Sequence, residues 1–546
     1  MYKLQIISTF SPDGHRFWAA RAPERMGSWL TGQGRHTVLG PPLPGDEAFL
    51  RLSLLEYGRI LGRLASFAAH LAQRRALPQL LIDHPIVELS TGLAVLQEVL
   101  AGRIVFQDRL VTLLRAEGLW PAETVQLLDY AVYNGFAAQL PGVSRLPWGA
   151  LRCNRCGGES VVLEPCPTCR RRECPLCTDC LSLGPSRGCR LLVFAPDAGR
   201  AQAGAVDFHL TYSLTPAQER AAFQLEEFFA GPRRRTLIWA ACGAGKTEVT
   251  FPMIRRALQA GQKVLFAVPR QDVVRELAER FRSAFTGVEI AVHYGGRPWQ
   301  AGGDLVVATT HQVLHFYERF GLAVLDEMDA FPYQGSEMLR FGLMRALRPE
   351  GKLVEMSATP NPVPKRGTAV TIPVRHHGYP LPAPEFIKSR PGEIPGEAME
   401  LLQDRSSQWI VFVPTVAACN TLTVWLREKL GEEVANCHSK HPHRREQIEA
   451  FRTQKRRVMV ATAVLERGVT FPGVQVIVVD ADHPIYSRSA LVQMAGRVGR
   501  TAEQPGGRVV FCGARRNAAV RGAQAMIGQL NQEAADLGLL RSDTHA

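Results

Sequence analysis

The sequence predicts an α/β protein with two parallel-sheet lobes, preceded by a cysteine-rich module and an N-terminal accessory region. Three observations carry that expectation. A glycine-bearing turn, Ala240-Ala241-Cys242-Gly243-Ala244-Gly245-Lys246-Thr247, lies between a strand-like run at 236–240 and a helical stretch at 248–258. Further on, the apolar run Leu322-Ala323-Val324-Leu325 ends in Asp326-Glu327. Eight of the twelve cysteines fall between Cys153 and Cys189.

A turn of the first kind aims backbone N–H groups at phosphate oxygens. Ala240, Gly243, Ala244, Gly245, Lys246 and Thr247 are therefore candidate ATP-binding residues. Lys246 reaches the β- and γ-phosphates, and the Thr247 hydroxyl suits Mg²⁺. A buried parallel strand at 322–326 delivers Asp326 to the same ion and Glu327 to the attacking water. The general phosphate-loop pattern has glycine where this chain has Ala240; A-x-x-G-x-G-K-T resembles the form used by superfamily-two helicases and translocases.

Other signatures follow in the order of that superfamily. Leu214-Thr215-Pro216-Ala217-Gln218 places Gln218 to read the adenine edge. Val268-Pro269-Arg270, Ala308-Thr309-Thr310 and Ser357-Ala358-Thr359 each close a strand. Leu465-Glu466-Arg467-Gly468-Val469-Thr470 comes next, with Gly468 at the nucleotide. Gln493-Met494-Ala495-Gly496-Arg497-Val498-Gly499-Arg500 supplies Arg497 and Arg500 as arginine fingers. The resemblance implies two RecA-like lobes with ATP between them. It also implies a strand of nucleic acid across both lobes, touched without regard to sequence. Pro269, Arg270, Thr309, Thr310 and Thr462 are candidates for those contacts, with Arg467 and Thr470 as weaker ones. Ser357 and Thr359 are expected to couple the γ-phosphate state to lobe movement.

In chain order, residues 1–150 form the accessory region. It starts with a short strand, is punctuated at Pro41-Pro42-Leu43-Pro44-Gly45, and shows helical periodicity at 52–71 and 92–114. The cysteine module spans 151–191, and a linker follows near 195–204. Lobe one covers 205–372, with strands at 236–240, 263–268, 304–309, 322–326 and 353–357. Proline-rich 360–395 reads as the connection. Lobe two covers 395–530, with strands at 409–413, 458–461 and 474–479 and a helical tail without assigned role.

At 546 residues and 46% hydrophobic, the chain has ordinary buried cores. Its net charge of +13 points to a polyanionic partner. Residues Met1 to Phe10 lack the basic and apolar regions of a secretory signal, and no run approaches the ~18 apolar residues of a spanning helix. A cytoplasmic protein is expected, with any seat at the inner face of the membrane supplied by partners.

In a reducing cytosol the clustered cysteines argue for metal rather than disulfides. Paired C-x-x-C turns favour Zn²⁺ over the competing iron–sulfur cluster. The first choice of ligands is Cys153, Cys156, Cys177 and Cys180. Cys166, Cys169, Cys174 and Cys189 form a second zinc site or remain free. All-thiolate sites leave no position for water, so the module is structural. His438, His441 and His443 lack a paired ligand and read as solvated loop histidines.

The chain resembles the ComFA family, DNA-uptake ATPases of naturally competent Gram-positive bacteria. The resemblance covers roughly 150–500. It rests on Cys153-Asn154-Arg155-Cys156-Gly157, on Cys174-Pro175-Leu176-Cys177 running into Cys180-Leu181-Ser182-Leu183-Gly184, and on Asp326-Glu327-Met328-Asp329-Ala330-Phe331-Pro332-Tyr333. Two departures, Met328 for valine and Pro185 after Gly184, touch no catalytic group. The resemblance implies a zinc-bearing motor driven by ATP on single-stranded DNA, with the ComEC channel, ComFC and DprA as partners. Two alternatives stand beside it. A PriA-like replication-restart helicase carries its metal ligands within the second lobe, where this chain has no cysteine pairs. A zinc-dependent DNA-binding scaffold with a vestigial motor is opposed by the intact Lys246, Asp326, Glu327, Arg497 and Arg500.

Overall fold

The computed structural model describes residues 3–10, 16–21, 37–44 and 89–541, except 120–123, 125–126, 130, 133–134, 198, 200, 202–205, 301, 366 and 464–470. The helical stretch expected at 52–71 and the signature at 465–470, with Arg467, Gly468 and Thr470, lie outside the described residues.

Strands Lys3–Phe10, Arg16–Arg21 and Thr37–Pro44 form an antiparallel sheet centred on Lys3–Phe10. The periodic stretch at 92–114 is not one helix. Helix Leu89–Leu100 gives way to Gly102 at φ +66°, strand Arg103–Phe106 and helix Gln107–Ala116. The reason lies in Arg103-Ile104-Val105-Phe106, whose β-branched and aromatic side chains suit a pleated, buried surface. All four residues are buried, paired antiparallel with Leu191–Ala195. That strand, read from sequence as the end of the module and start of a linker, is the centre of a three-stranded sheet with Ala138–Pro141 on its other edge. The cysteine module is thus an insertion between an edge strand and the central strand. It consists of two hairpins, Val143–Arg145 with Leu151–Cys153 and Val161–Glu164 with Cys174–Cys177.

Lobe one is a seven-stranded parallel sheet in the order Ile290–His293, Leu305–Thr309, Val264–Val268, Phe320–Leu325, Leu347–Ser357, Arg235–Ala240, Val370–Ile372. Strands Val264–Val268, Leu305–Thr309 and Phe320–Leu325 are buried at every position, as continuous apolar runs in a two-sided sheet must be. Lobe two is a six-stranded parallel sheet in the order Glu385–Lys388, Val509–Gly513, Gln475–Val478, Trp409–Phe412, Val458–Ala461, Ala435–Cys437. The proline-rich connection therefore gives a strand to each lobe, Val370–Ile372 and Glu385–Lys388. The tail helix Ala518–Asp536 is capped by Asn517 and buries Val520, Ala523, Ile527 and Leu530 in the core. Its Asn531 side chain bonds both the N–H (2.7 Å) and the carbonyl (2.9 Å) of Leu381, tying the tail to the connection.

The parts before lobe one dock on it. Arg103 bridges Phe316 and stacks its guanidinium 3.9 Å from the Trp299 ring. Arg345, from helix Glu337–Ala346, donates to the carbonyls of Asn154 (3.0 Å) and Arg155 (2.7 Å) in the first cysteine turn, and to that of Leu314 (2.7 Å).

Candidate nucleotide site and cysteine centres

Strands Arg235–Ala240, Val264–Val268, Leu305–Thr309 and Phe320–Leu325 run parallel, so the residues that follow them collect at one edge of the sheet. Ligands of open parallel sheets bind at that carboxyl edge. The phosphate loop turns there through Gly243 (φ +82°) and Gly245 (φ +69°), conformations that cost glycine little. A Cβ on Gly245 would lie 2.4 Å from Gln218 Nε2, so only glycine fits. Gln218 itself closes a capping box with Thr215: its Oε1 accepts from the Thr215 N–H at 2.9 Å. Its Nε2 donates to the Ala244 carbonyl at 2.9 Å. The amide expected at the adenine edge also holds the phosphate loop to helix Pro216–Ala230.

Lys246 Nζ lies 2.6 Å from Asp326 Oδ1. Burial works against charge on the amine, yet Asp326 and Glu327 outweigh it and hold the lysine above its ordinary value. Thr247 is buried beside it. Glu327 follows with φ +53°, a left-handed conformation that a non-glycine residue holds only under constraint from its surroundings. Its backbone N–H donates to Asp326 Oδ1 at 2.7 Å, fixing that carboxylate.

Lobe two closes directly over this loop. A Cβ on Gly496 would stand 2.6 Å from the Cys242 Cβ. Arg497 is 1% exposed, and Arg500 donates to the Gly496 carbonyl at 2.8 Å. The Arg500 Cγ is 4.0 Å from where a Gly243 Cβ would stand. Burial lowers Arg500, while Cys242 and Glu327 pull the other way. Arg500, the loop and the Asp326-Glu327 pair therefore converge on the cleft between the lobes, with Arg497 buried next to the Gly496 contact.

A residue without an assigned role in the sequence reading links the lobes. Asp329 accepts from Ser357 Oγ (2.6 Å) and Thr359 Oγ1 (2.6 Å) of lobe one, and from Ser489 Oγ (3.0 Å) of lobe two. The available signal was Asp329 itself, inside the family signature and three residues past Asp326. Ser489 gave none, because an isolated serine at a helix start reads as part of the cap.

The candidate nucleic-acid contacts follow the carboxyl ends of strands in two separate sheets. Val268 and Thr309 pair in register, and the Thr310 N–H donates to the Val268 carbonyl at 3.0 Å, so Pro269-Arg270 and Thr309-Thr310 are neighbours. Arg270 pairs with Asp272 at 2.5 Å. Thr462 follows Ala461 at the end of a lobe-two strand, its N–H bonded to the Cys437 carbonyl. The loop histidines are held locally, His438 by Asn420 and His443 by Glu446.

The cysteines fall into two sets, Cys153, Cys156, Cys177, Cys180 and Cys166, Cys169, Cys174, Cys189. In each, the four sulfurs lie within 4.8 Å of one another, and no other group of three or more potential ligands stands out among the described residues. Sulfur separations are 3.8 Å for Cys153–Cys180, 3.6 Å for Cys156–Cys177, 3.7 Å for Cys177–Cys180 and 3.6 Å for Cys166–Cys189. A disulfide has ~2.05 Å. The edge of a tetrahedron with ~2.3 Å zinc–sulfur bonds is ~3.8 Å, so both sets fit Zn²⁺. Hydrogen bonds from Cys156, Cys177 and Cys180 push the Cys153 thiol far down, and the thiolate formed pushes Cys156 far up. Arg155 caps the first set, donating to Cys180 Sγ from Nη2 at 2.8 Å.

This arrangement defines a two-lobed phosphate-loop ATPase of the helicase type. Family models agree, one described as "Type III restriction enzyme, res subunit" over 211–362 and one as "Helicase conserved C-terminal domain" over 395–502. "Competence protein ComFA" of Bacillus subtilis (strain 168) is 31% identical over 427 residues, 75% of this chain and 92% of that protein. "Competence protein ComFA" of Streptococcus pneumoniae (strain ATCC BAA-255 / R6) is 31% identical over 419 residues, 73% and 94% of the two chains. The chain belongs to the ComFA family, and is an ATP-hydrolysing, helicase-like motor of competence. "Replication restart protein PriA" of Bacillus subtilis matches only 26% of this chain, at 26% identity. No helix among the described residues is long and apolar enough to cross a membrane.

Proposed function

We propose that this motor translocates on single-stranded DNA during uptake, with the Asp326-Glu327 pair and Lys246 on one side of the nucleotide and Arg497 and Arg500 on the other. The observation that carries the reading is the convergence of Lys246, Asp326, Glu327 and Arg500 on one cleft, in a lobe whose sheet also carries the carboxyl-edge loops Pro269-Arg270 and Thr309-Thr310. Lys246 leaves Asp326 for the β- and γ-phosphates. Thr247 and Asp326 would hold Mg²⁺, which would neutralise charge on the phosphates. Glu327 accepts the proton of the attacking water, and Arg500 meets charge developing on the γ-phosphoryl group. Asp329 and its three hydroxyl donors transmit the state of the cleft between lobes, which changes the spacing of the two DNA-contact loops.

The eight cysteines hold two zinc ions that supply folding energy to a module with little core of its own. The module presents Arg170, Arg171 and Arg172 as a surface for DNA or a partner. Resemblance to the family supports ComEC, ComFC and DprA as the contacts of this reading, with a seat at the inner face of the membrane supplied by those partners.

ATP hydrolysis measured with single-stranded DNA, blunt duplex, RNA and no nucleic acid tests the proposal. Strongest stimulation by single-stranded DNA is expected. Equal stimulation by duplex would make it a duplex translocase, and none by any nucleic acid would favour a scaffold with an idle motor.

A further inference from the structure

Arg375 lies in the connection just past strand Val370–Ile372, is 1% exposed, and belongs to no signature of the sequence. Its guanidinium donates to four backbone carbonyls from two distant segments. Nε bonds Cys242 of the phosphate loop at 2.9 Å. Nη1 bonds Val498 and Gly499, and Nη2 bonds Gly496 at 3.2 Å. His377, two residues on, bonds the Gly499 carbonyl at 3.0 Å from Nε2. These acceptors surround the segment that carries Arg497 and Arg500. Arg375 Nε is also 3.8 Å from where a Gly243 Cβ would stand, beside the Arg500 Cγ.

A guanidinium suits this task because its planar fork spans several carbonyls at once. Burial, with Arg500 adding to it, lowers Arg375 to about 10. Two neighbouring cations favour an anion between the lobes.

We propose that Arg375 is a positioning residue for ATP hydrolysis: from the lobe connection, it seats the Gly496–Arg500 segment on the phosphate loop and thereby sets the reach of Arg500. The inference rests on the finger role given to Arg500 and adds to it the part of the chain that aims the finger.

Four variants test this: Arg375→Gln, Arg375→Lys, Arg500→Ala and the double variant Arg375→Gln/Arg500→Ala. For each, kcat, KM, affinity for a fluorescent ATP analogue and melting temperature are measured. Arg375→Gln should lose about 30-fold in kcat while analogue affinity and KM stay within about threefold, because the lost interaction acts in the transition state. Arg375→Lys, which keeps the charge on one nitrogen, should recover part of the rate, and it carries the test should the glutamine variant fail to fold. The double variant should fall no lower than Arg500→Ala, since both changes remove one function. Parental kcat in Arg375→Gln, a lysine variant equal to the parent, or additive losses in the double variant would each overturn the inference. Parental kcat in Arg500→Ala would instead overturn the finger role beneath it.

Discussion

Lys246 and Asp326 face each other at 2.6 Å, so under the proposed mechanism nucleotide binding begins by parting an ion pair. Lys246→Ala should abolish hydrolysis, because the phosphates lose their main side-chain cation while Asp326 stays buried without its partner. A phosphate-release assay with saturating ATP checks this. Glu327→Gln should still bind ATP but slow turnover about 100-fold, since the water loses its base. Steady-state hydrolysis at the parental rate would mean that Glu327 has another role. At this scale the sequence was informative wherever a residue type and its spacing define chemistry, as in the loop, Asp326-Glu327 and the paired cysteines. It was silent on Arg375, whose acceptors are backbone carbonyls from segments more than a hundred residues away. Gln218 was recognised by position, while its spacing from Thr215 also spelled a capping box.

Elements show the same division. Buried parallel strands announce themselves as apolar runs, so Val264–Val268 and Phe320–Leu325 were legible nearly to their ends. The edge strands Ile290–His293, Val370–Ile372 and Glu385–Lys388 were not, being only three or four residues long and two of them set among prolines. Strand Ile290–His293 leads to a pH prediction. Burial, helped by Arg319 and Arg103, lowers His293 from 6.5 to about 3, so it is neutral in the fold and takes a proton more readily when unfolded. Its contribution is complete above pH 6.5 and declines as pH falls toward 3, by about 2 kcal/mol at pH 5. Urea titrations at pH 7 and pH 5 should therefore differ less for His293→Phe than for the parent. The cysteine module gives a further test. Cys153→Ala or Cys177→Ala should lower bound zinc and unfold residues near 151–191, yet leave most basal hydrolysis, because the phosphate loop stands on a separate sheet. The DNA-stimulated rate should fall, as Arg345 ties the first cysteine turn to Leu314, close behind Thr309-Thr310. Metal analysis beside ATPase assays decides: unchanged zinc would refute the ligand choice, and lost basal hydrolysis would make the module part of the motor.

For the whole molecule, a net charge of +13 and the proposed DNA contacts at Pro269-Arg270, Thr309-Thr310 and Thr462 would make binding dominated by phosphates. Affinity for single-stranded DNA should fall steeply with salt, by about 0.7 log units per log unit of salt for each phosphate neutralised. Anisotropy titrations over a range of potassium chloride would show it, and a flat response would refute phosphate tracking. The two-lobed plan was legible because the signatures occur in a fixed order along the chain. The seating of the accessory sheet and module on lobe one was not, since it depends on single residues such as Arg103 and Arg345 that carry no pattern.

The insertion of the cysteine module has a consequence for biogenesis. The central strand Leu191–Ala195 leaves the ribosome after both of its partners and after every cysteine of the module. The sheet closes only once the intervening chain has shortened its span, and under the proposed zinc binding, capturing metal is the step that shortens it. Chains made without zinc should therefore hold two folded lobes behind an open, protease-sensitive segment at 103–195. Synthesis in a chelator followed by brief proteolysis should release a lobe-only fragment, whereas chains made with zinc stay whole. Metal supply during translation would then act as quality control on which motors enter service.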